Sequence, residues 1–251
     1  MRIYGIIPAR YKSTRLEGKP LIDILGKPMI QHVYEHARQS QSLVDVLVAT
    51  DDDRIRRVVE GFGGKVVMTS SRHNSGTDRV AEVAENLDAD IVLNIQGDEP
   101  LLDPLLIDEC VRPFHSDPPP PSATLVKRLH RETSFSDPAV VKVVADLSGR
   151  ALYFSRSLIP FPRTKTEDFA VYEHIGIYGY TKASLLKFSS LSPTPLERVE
   201  GLEMLRTLEH GIPIQLVETR CQCELVSVDT PADLERVRQI MARLAVRSSG
   251  Q

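Results

Sequence analysis

Apolar residues arrive in two alternating rhythms over the first 111 positions. Short unbroken runs at 3–7, 44–49, 65–68 and 90–95 read as strands buried on both faces. Between them apolar positions recur at helical spacing: Ile30, Val33, Tyr34 and Ala37 within 29–40, then Ile55, Val58 and Val59 ahead of a stop at Gly63-Gly64. Val80, Val83, Ala84 and Leu87 follow Thr77-Asp78, and 105–111 is again helical, while 21–25 reads as a short strand or turn closed by Gly26-Lys27-Pro28. Buried strands alternating with helices predict an α/β fold, a mainly parallel sheet with helices on both faces.

The rhythm changes after Asp117, where Pro118 to Pro121 hold an extended surface connector that cannot be helical. Beyond it, 123–126, 140–145, 151–155 and 173–180 predict strands without long helices between them, and 157–169 is irregular around Pro160 and Pro162. The expectation is one domain over 1–251 with a β-rich arm within 123–190. A single helix is predicted over 196–210, with Val199, Leu202, Leu205 and Leu208 on one side and Gly211 ending it. Strands are predicted at 214–218 and 224–228. Thr230 caps a last helix that has Pro231 in its first turn, running to about Leu244 before a frayed tail.

Composition narrows the function classes. Of 251 residues 41% are hydrophobic and 26% charged, with a net charge of −3, which excludes the global basic field of a dedicated nucleic-acid binder. No apolar run is long enough to span a bilayer and no signal-peptide core opens the chain, so a cytoplasmic location without membrane insertion is expected. The three cysteines, Cys110, Cys221 and Cys223, match neither a disulfide framework nor a four-ligand zinc spacing, and read as structural thiols of a reduced compartment. Gly-x-Ser-x-Gly, Walker-type and GxGxxG motifs are missing, which argues against serine hydrolases, P-loop kinases and ordinary dehydrogenases.

The candidate chemistry follows the strands. PARYKSTRLEGKP at 8–20 packs Arg10, Lys12, Arg15 and Lys19 around Ser13, Thr14 and Gly18, a composition suited to a polyphosphate. Carboxylates stand after other strands: Asp51 to Asp53, Asp98 in Gln96-Gly97-Asp98, and Asp229. Cations and carboxylates at one edge of a parallel sheet suit a polyphosphate with a hard divalent ion. Each has a bland alternative: a solvated basic loop, a helix cap at Asp52 or Asp53, a loop acid at Asp98, a turn organiser at Asp229. HNSGTDR at 73–79, with His73, Ser75, Thr77 and Arg79, suits either the reading of a base edge or a routine helix cap. In the middle region Arg156, Tyr172, His174, Tyr178 and Tyr180 gather polar chemistry, while Glu200, Glu203 and Arg206 read as a solvated helix face.

The motifs IIPARYKSTRLEGKPL (6–21), VATDD (48–52), HNSGTDR (73–79), NIQGDEP (94–100), ALYFSR (151–156), HIGIYGY (174–180), PLERVEGLEMLR (195–206) and VDTPADL (228–234) run in order through nearly the whole chain. Together with VVKVV (140–144), they resemble the 3-deoxy-manno-octulosonate (Kdo) cytidylyltransferases, or CMP-Kdo synthetases. The resemblance implies a Rossmann-like nucleotidyltransferase fold with a β-rich dimerisation subdomain. It implies transfer of CMP from CTP to the anomeric hydroxyl of Kdo, with release of pyrophosphate, for lipopolysaccharide biosynthesis. It implies that Arg10, Ser13, Arg15 and Lys19 hold the triphosphate, and that His73, Ser75 and Arg79 help select cytosine. Asp98 and Asp229 would hold Mg2+, forming the catalytic set with Lys19, and a second Mg2+ would ride on the triphosphate. Gln96, Arg156, His174, Tyr178 and Glu203 would line the Kdo site, the charge of Arg156 and His174 facing the sugar carboxylate. A homodimer through the β-rich region is implied as well. The chain departs from the family at Met204, where glutamine is common; a thioether cannot replace the amide's hydrogen bonds. A looser Kdo pocket follows as an expectation, and a related acid sugar (8-amino-Kdo or sialic-acid-like) stays open as an alternative. Asp78 in place of glutamate is a mild change. Intact Arg10, Lys19, Asp98 and Asp229 oppose a catalytically silent nucleotide binder.

Overall fold

The computed structural model describes residues 1–12, 16–129, 135–164 and 170–249, the side chains of 246–249 excepted. They form two compact units, Met1–Asp108 with Cys221–Gln251, and Glu109–Arg220. The predicted β-rich stretch lies within the second.

The first unit carries the predicted alternation: β1 (Ile3–Ala9), a small hairpin of β2 (Asp23–Ile24) and β3 (Lys27–Pro28), α1 (Met29–Ala37), β4 (Asp45–Thr50), α2 (Asp53–Gly61), β5 (Val66–Met68), α3 (Gly76–Glu85), β6 (Ile91–Ile95) and the start of α4 (Pro104–Val111). Strands β6, β1, β4 and β5 lie side by side in that order, all parallel, with Gly5 opposite Leu93 and Val46. Ile6, Ile7, Val46, Val48, Val92 and Leu93 are inaccessible to solvent, as continuous apolar strands of a parallel sheet require. Because every strand runs the same way, the residues after β1, β4, β5 and β6 all emerge at one edge of the sheet.

The second unit contains β7 (Ser122–Leu129), β8 (Lys142–Ala145), β9 (Ala151–Ser155), β10 (Val171–Thr181), α5 (Lys182–Ser189), α6 (Pro195–Glu200), α7 (Met204–Glu209) and β11 (Ile214–Glu218). Here pairing is mostly antiparallel: β7 lies between β10 and, in parallel, β11, and β8 joins β10 to β9. Its core gathers Val126, Val143, Phe154, Leu202, Met204, Leu205 and Ile214.

The chain then returns to the first unit and ends in α8 (Pro231–Ser249), which extends beyond the predicted stop at Leu244. Thr230 and Asp233 cap it reciprocally: the Asp233 N–H donates to the Thr230 hydroxyl at 3.2 Å, and the Asp233 carboxylate accepts from the Thr230 N–H at 2.8 Å.

Three expectations change. The helix predicted over 196–210 is two helices, because Gly201 adopts a left-handed conformation (φ 65°) and its N–H closes α6 on the Glu197 carbonyl at 2.8 Å. Val199, assigned to the apolar side, is 84% exposed. The strand predicted at 224–228 is irregular backbone; Val226 and Val228 are nonetheless buried with Leu101, Leu234 and Val237, so the apolar alternation records packing rather than a ladder. Finally, Cys221 and Cys223 are joined in a disulfide, where spacing alone predicts none. The irregular path brings their Cα atoms to 5.3 Å, within bridging range. Cys110 is a buried free thiol whose pKa burial pushes up to about 12, in keeping with a structural role.

Candidate active site

In the first unit Lys19 lies at the start of a short 3-10 turn (Lys19–Leu21) whose cap is Gly18 at φ 66°. A side chain on Gly18 would meet the Tyr11 ring at 3.1 Å, so only glycine permits this turn, which also closes by a 3.0 Å bond from the Gly18 N–H to the Tyr11 carbonyl. The Lys19 ammonium donates to the Asp98 carboxylate at 2.6 Å and to the Asp229 carboxylate at 3.1 Å. One cation thereby holds together two carboxylates that come from sequence positions 79 and 210 residues away. Asp98 follows β6 through Gly97, where a Cβ would approach the Pro8 carbonyl at 3.0 Å; glycine allows the strand ends of β1 and β6 to close up. The two acidic segments are also tied by a 2.9 Å hydrogen bond from the Val228 N–H to the Asp98 carbonyl. Arg10 is exposed at the end of β1. Ser13 and Arg15 lie outside the described residues.

The loop after β5 resolves into structural roles. Ser75 caps α3, accepting from the Asp78 N–H at 3.1 Å. The His73 ring contacts the Glu82 carboxylate, which also accepts from the Ser70 N–H. Arg79 is 4% exposed, donates to the Thr69 hydroxyl and pairs with Asp51 at 3.2 Å. Its guanidinium is engaged inside the fold, with Asp51 as its carboxylate partner. Asp52 does cap α2, accepting from the Arg54 N–H. Gln96 is half-buried and donates to Asn94, which in turn donates to Thr77.

In the second unit the sugar candidates cluster on β10 and around α6. The register between β10 and β7 shifts at a bulge between Ile175 and Tyr178, and there the Thr124 hydroxyl donates to the Ile177 carbonyl at 2.7 Å. With its hydrogen used there, Thr124 accepts from His174 Nε2 at 3.0 Å, so the imidazole carries its proton on Nε2. His174 packs edge-on to Phe154 and lies 5.2 Å from the Tyr178 ring, which stacks on Tyr180. Burial pushes the His174 pKa down to about 3. It is therefore neutral near pH 7, contrary to the expectation that its charge faces a carboxylate.

Arg156 donates from Nε to the Glu200 carbonyl and from Nη1 to the Pro138 carbonyl, both at 2.8 Å, and its own N–H bonds the Glu200 carboxylate at 2.9 Å. The Lys142 ammonium, within a side chain inaccessible to solvent, caps the carbonyls of Asp137, Val140 and Arg156. Desolvation pulls the Lys142 pKa down. These residues escaped the sequence reading, although a lysine inside the apolar VVKVV was a visible signal. The solvated face assigned to Glu200, Glu203 and Arg206 is corrected: Glu200 braces Arg156, and Arg206 is buried in an ion pair with Glu197. Glu203 precedes α7 as its cap residue. Met204 is 5% exposed within the apolar core, against which Tyr178 packs. It fills hydrophobic space and gives no support to a reshaped pocket for another acid sugar.

Comparison with known proteins identifies the family. A family model described as cytidylyltransferase matches residues 4–218. Curated relatives include the 3-deoxy-manno-octulosonate cytidylyltransferases of Geobacter metallireducens, 48% identical over 98% of this chain and 100% of theirs, and of Geobacter sulfurreducens, 51% identical over 94% and 98%. A solved CMP:2-keto-3-deoxy-manno-octonic acid synthetase complexed with CTP superposes with TM-score 0.91 at 45% identity, covering 97% of this chain and 99% of the other. The inositol-1-phosphate CTP transferase of T. maritima, at 14% identity and TM-score 0.66 over 95% and 94%, shares the fold. The chain is a member of the cytidylyltransferase family, in its 3-deoxy-manno-octulosonate branch.

Proposed function

We propose that this chain transfers CMP from CTP to the anomeric hydroxyl of Kdo, releasing pyrophosphate, as a step toward lipopolysaccharide. The observation that carries the reading is the Lys19–Asp98–Asp229 cluster at the carboxyl edge of a parallel sheet, in a chain about half identical to curated enzymes of that name. Arg10, Ser13, Arg15 and Lys19 neutralise the triphosphate, so that charge growing on the phosphoryl oxygens and the leaving pyrophosphate meets preorganised cations. Asp98 and Asp229 fit magnesium: two oxygen donors are held together around a cation, the Lys19 ammonium. When bound, the ion would orient the sugar hydroxyl and lower its pKa. Lys19 keeps the two carboxylates from repelling one another. Arg79, His73 and Ser75 hold the 69–79 loop in shape, which leaves its backbone to recognise cytosine.

Arg156 gives the sugar carboxylate its positive partner, aimed by the carbonyls of Glu200 and Pro138. His174, neutral, takes part by hydrogen bonding rather than by charge, and Gln96, Tyr178 and Glu203 meet sugar hydroxyls. The reading includes a homodimer through the second unit, where Leu147, Leu152 and Phe161 stand exposed. It includes a cytoplasmic location, where nucleoside triphosphates are supplied; among the described residues no helix is long and apolar enough to cross a membrane. The test is a coupled pyrophosphate assay across acid sugars and the four nucleoside triphosphates. Release that requires CTP, Kdo and a divalent ion is expected. Release with a neutral hexose phosphate, or with all four nucleotides alike, overturns the assignment.

A further inference from the structure

Outside the catalytic set, the first unit contains a second convergence of ligating side chains. The sulfurs of Cys221 and Cys223 and a carboxylate oxygen of Asp103 all lie within 4.8 Å of one another. Cys221 is buried, while Asp103 and Cys223 are half-buried. The Cys223 N–H donates to the Cys221 sulfur at 3.2 Å, a contact that favours negative charge on that sulfur. The two sulfurs are bonded in the structure, and a reducing compartment keeps such a pair as thiols. A dithiol reductant breaks the S–S bond by thiol exchange: each cysteine sulfur gains one electron and one proton, and the reductant leaves as its own disulfide.

We propose that the reduced Cys221–Cys223 pair, with Asp103, is a site for a thiophilic divalent cation of the zinc class, separate from the oxygen pair Asp98 and Asp229. Zinc bonds of about 2.0–2.3 Å set tetrahedral donors roughly 3.3–3.8 Å apart, so three atoms within 4.8 Å need only side-chain rotation to converge. Two thiolates select a soft ion against magnesium, which takes oxygen ligands. Binding releases the two thiol protons, and water completes the fourth position.

The site has a consequence for the catalytic acids. Asp103 lies five residues after Asp98, and Cys223 six before Asp229. These segments are already joined by the Val228–Asp98 hydrogen bond and by packing of Leu101 on Val226 and Val228. An ion shared by Asp103 and the cysteines clips together the two stretches of backbone that carry Asp98 and Asp229.

Cobalt titration of the full chain tests this, because thiolate ligation gives a charge-transfer absorption that oxygen ligation at Asp98 and Asp229 does not. Reduced protein is expected to bind one cobalt per chain with that band, zinc to displace it, and disulfide-oxidised protein to show no band until reduced again. C221S and C223S are expected to lose the band, and Asp103→Asn to weaken binding roughly 10- to 100-fold, the range found for groups supporting a metal site. The oxidised–reduced comparison uses unsubstituted protein, so it stands even where a variant folds poorly. Absence of the band from reduced protein, or its persistence in the C221S/C223S double variant, overturns the site; unchanged affinity in Asp103→Asn removes Asp103 from it.

Discussion

The first unit presents its chemistry at the ends of parallel strands, and the second builds its chemistry into a bulge and a buried polar network. At the strand ends the side chains stay partly exposed and charged: Lys19, Asp98 and Asp229 form ion pairs that, in the proposed reaction, phosphate and metal would rearrange. Around β10 and α6 the side chains are held by carbonyls and hydroxyls, and burial strips His174 of its charge. The difference suits the two tasks of the proposed reaction. Phosphoryl transfer needs movable positive charge near a polyanion, whereas recognition of one sugar needs donors and acceptors that do not move.

The largest effect should come from breaking the first arrangement. Asp98→Asn and Asp229→Asn are each expected to lower turnover by roughly 10²–10³-fold, in line with removal of a preorganised electrostatic group. Thermal melting should show both variants folded; wild-type turnover in either removes that residue from the metal set. Next, Arg156→Met should raise the KM for Kdo by roughly 10- to 150-fold, the equivalent of a charge-assisted hydrogen bond of about 1.5–3 kcal/mol, and leave the KM for CTP unchanged. A parallel rise for both substrates would erase the division of labour between the units.

Met204→Gln sharpens the comparison from within the apolar core. Burying an amide there should destabilise the fold by about 1–3 kcal/mol in chemical denaturation without lowering the KM for Kdo. A tighter KM at unchanged stability would return Met204 to the sugar pocket. The smallest effect concerns pH. Unfolded His174 takes up a proton near its ordinary 6.5, whereas folded His174 does so only near 3. Between those values the unfolded chain binds more protons, so this contribution to stability is complete above about pH 6.5 and is lost as pH falls toward 3. His36, also pulled down chiefly by desolvation, adds a slope of the same sign. His174→Gln should therefore flatten the decline in denaturation midpoint from about pH 7 to pH 5 in part, leaving the share of His36. An unchanged slope would mean that His174 is charged in the folded protein.

Legibility differed between the units for the same reason. Strand-end residues such as Arg10, Asp98 and the acids after β4 were visible because a buried strand announces its own end. The 224–228 stretch misled because alternating apolar residues satisfy a core contact as well as a ladder. The 196–210 stretch misled because helical spacing continues across Gly201, although the backbone does not. Bracing residues such as Thr124 and Glu200 act through partners distant in sequence, and periodicity carries no trace of them.

What the chain's order of residues determined on its own is the alternation of buried strands and amphipathic helices, the cations after β1 and the carboxylates after later strands. Those are local properties of period and adjacency. Only the tertiary structure decided that one ammonium joins Asp98 to Asp229, that Arg79 is spent on Asp51 and Thr69, and that Met204 is core. It also decided that His174 is neutral and that two cysteines and an aspartate converge. Each depends on which distant groups meet and how much water is excluded where they do, and both are set by packing rather than by sequence neighbours.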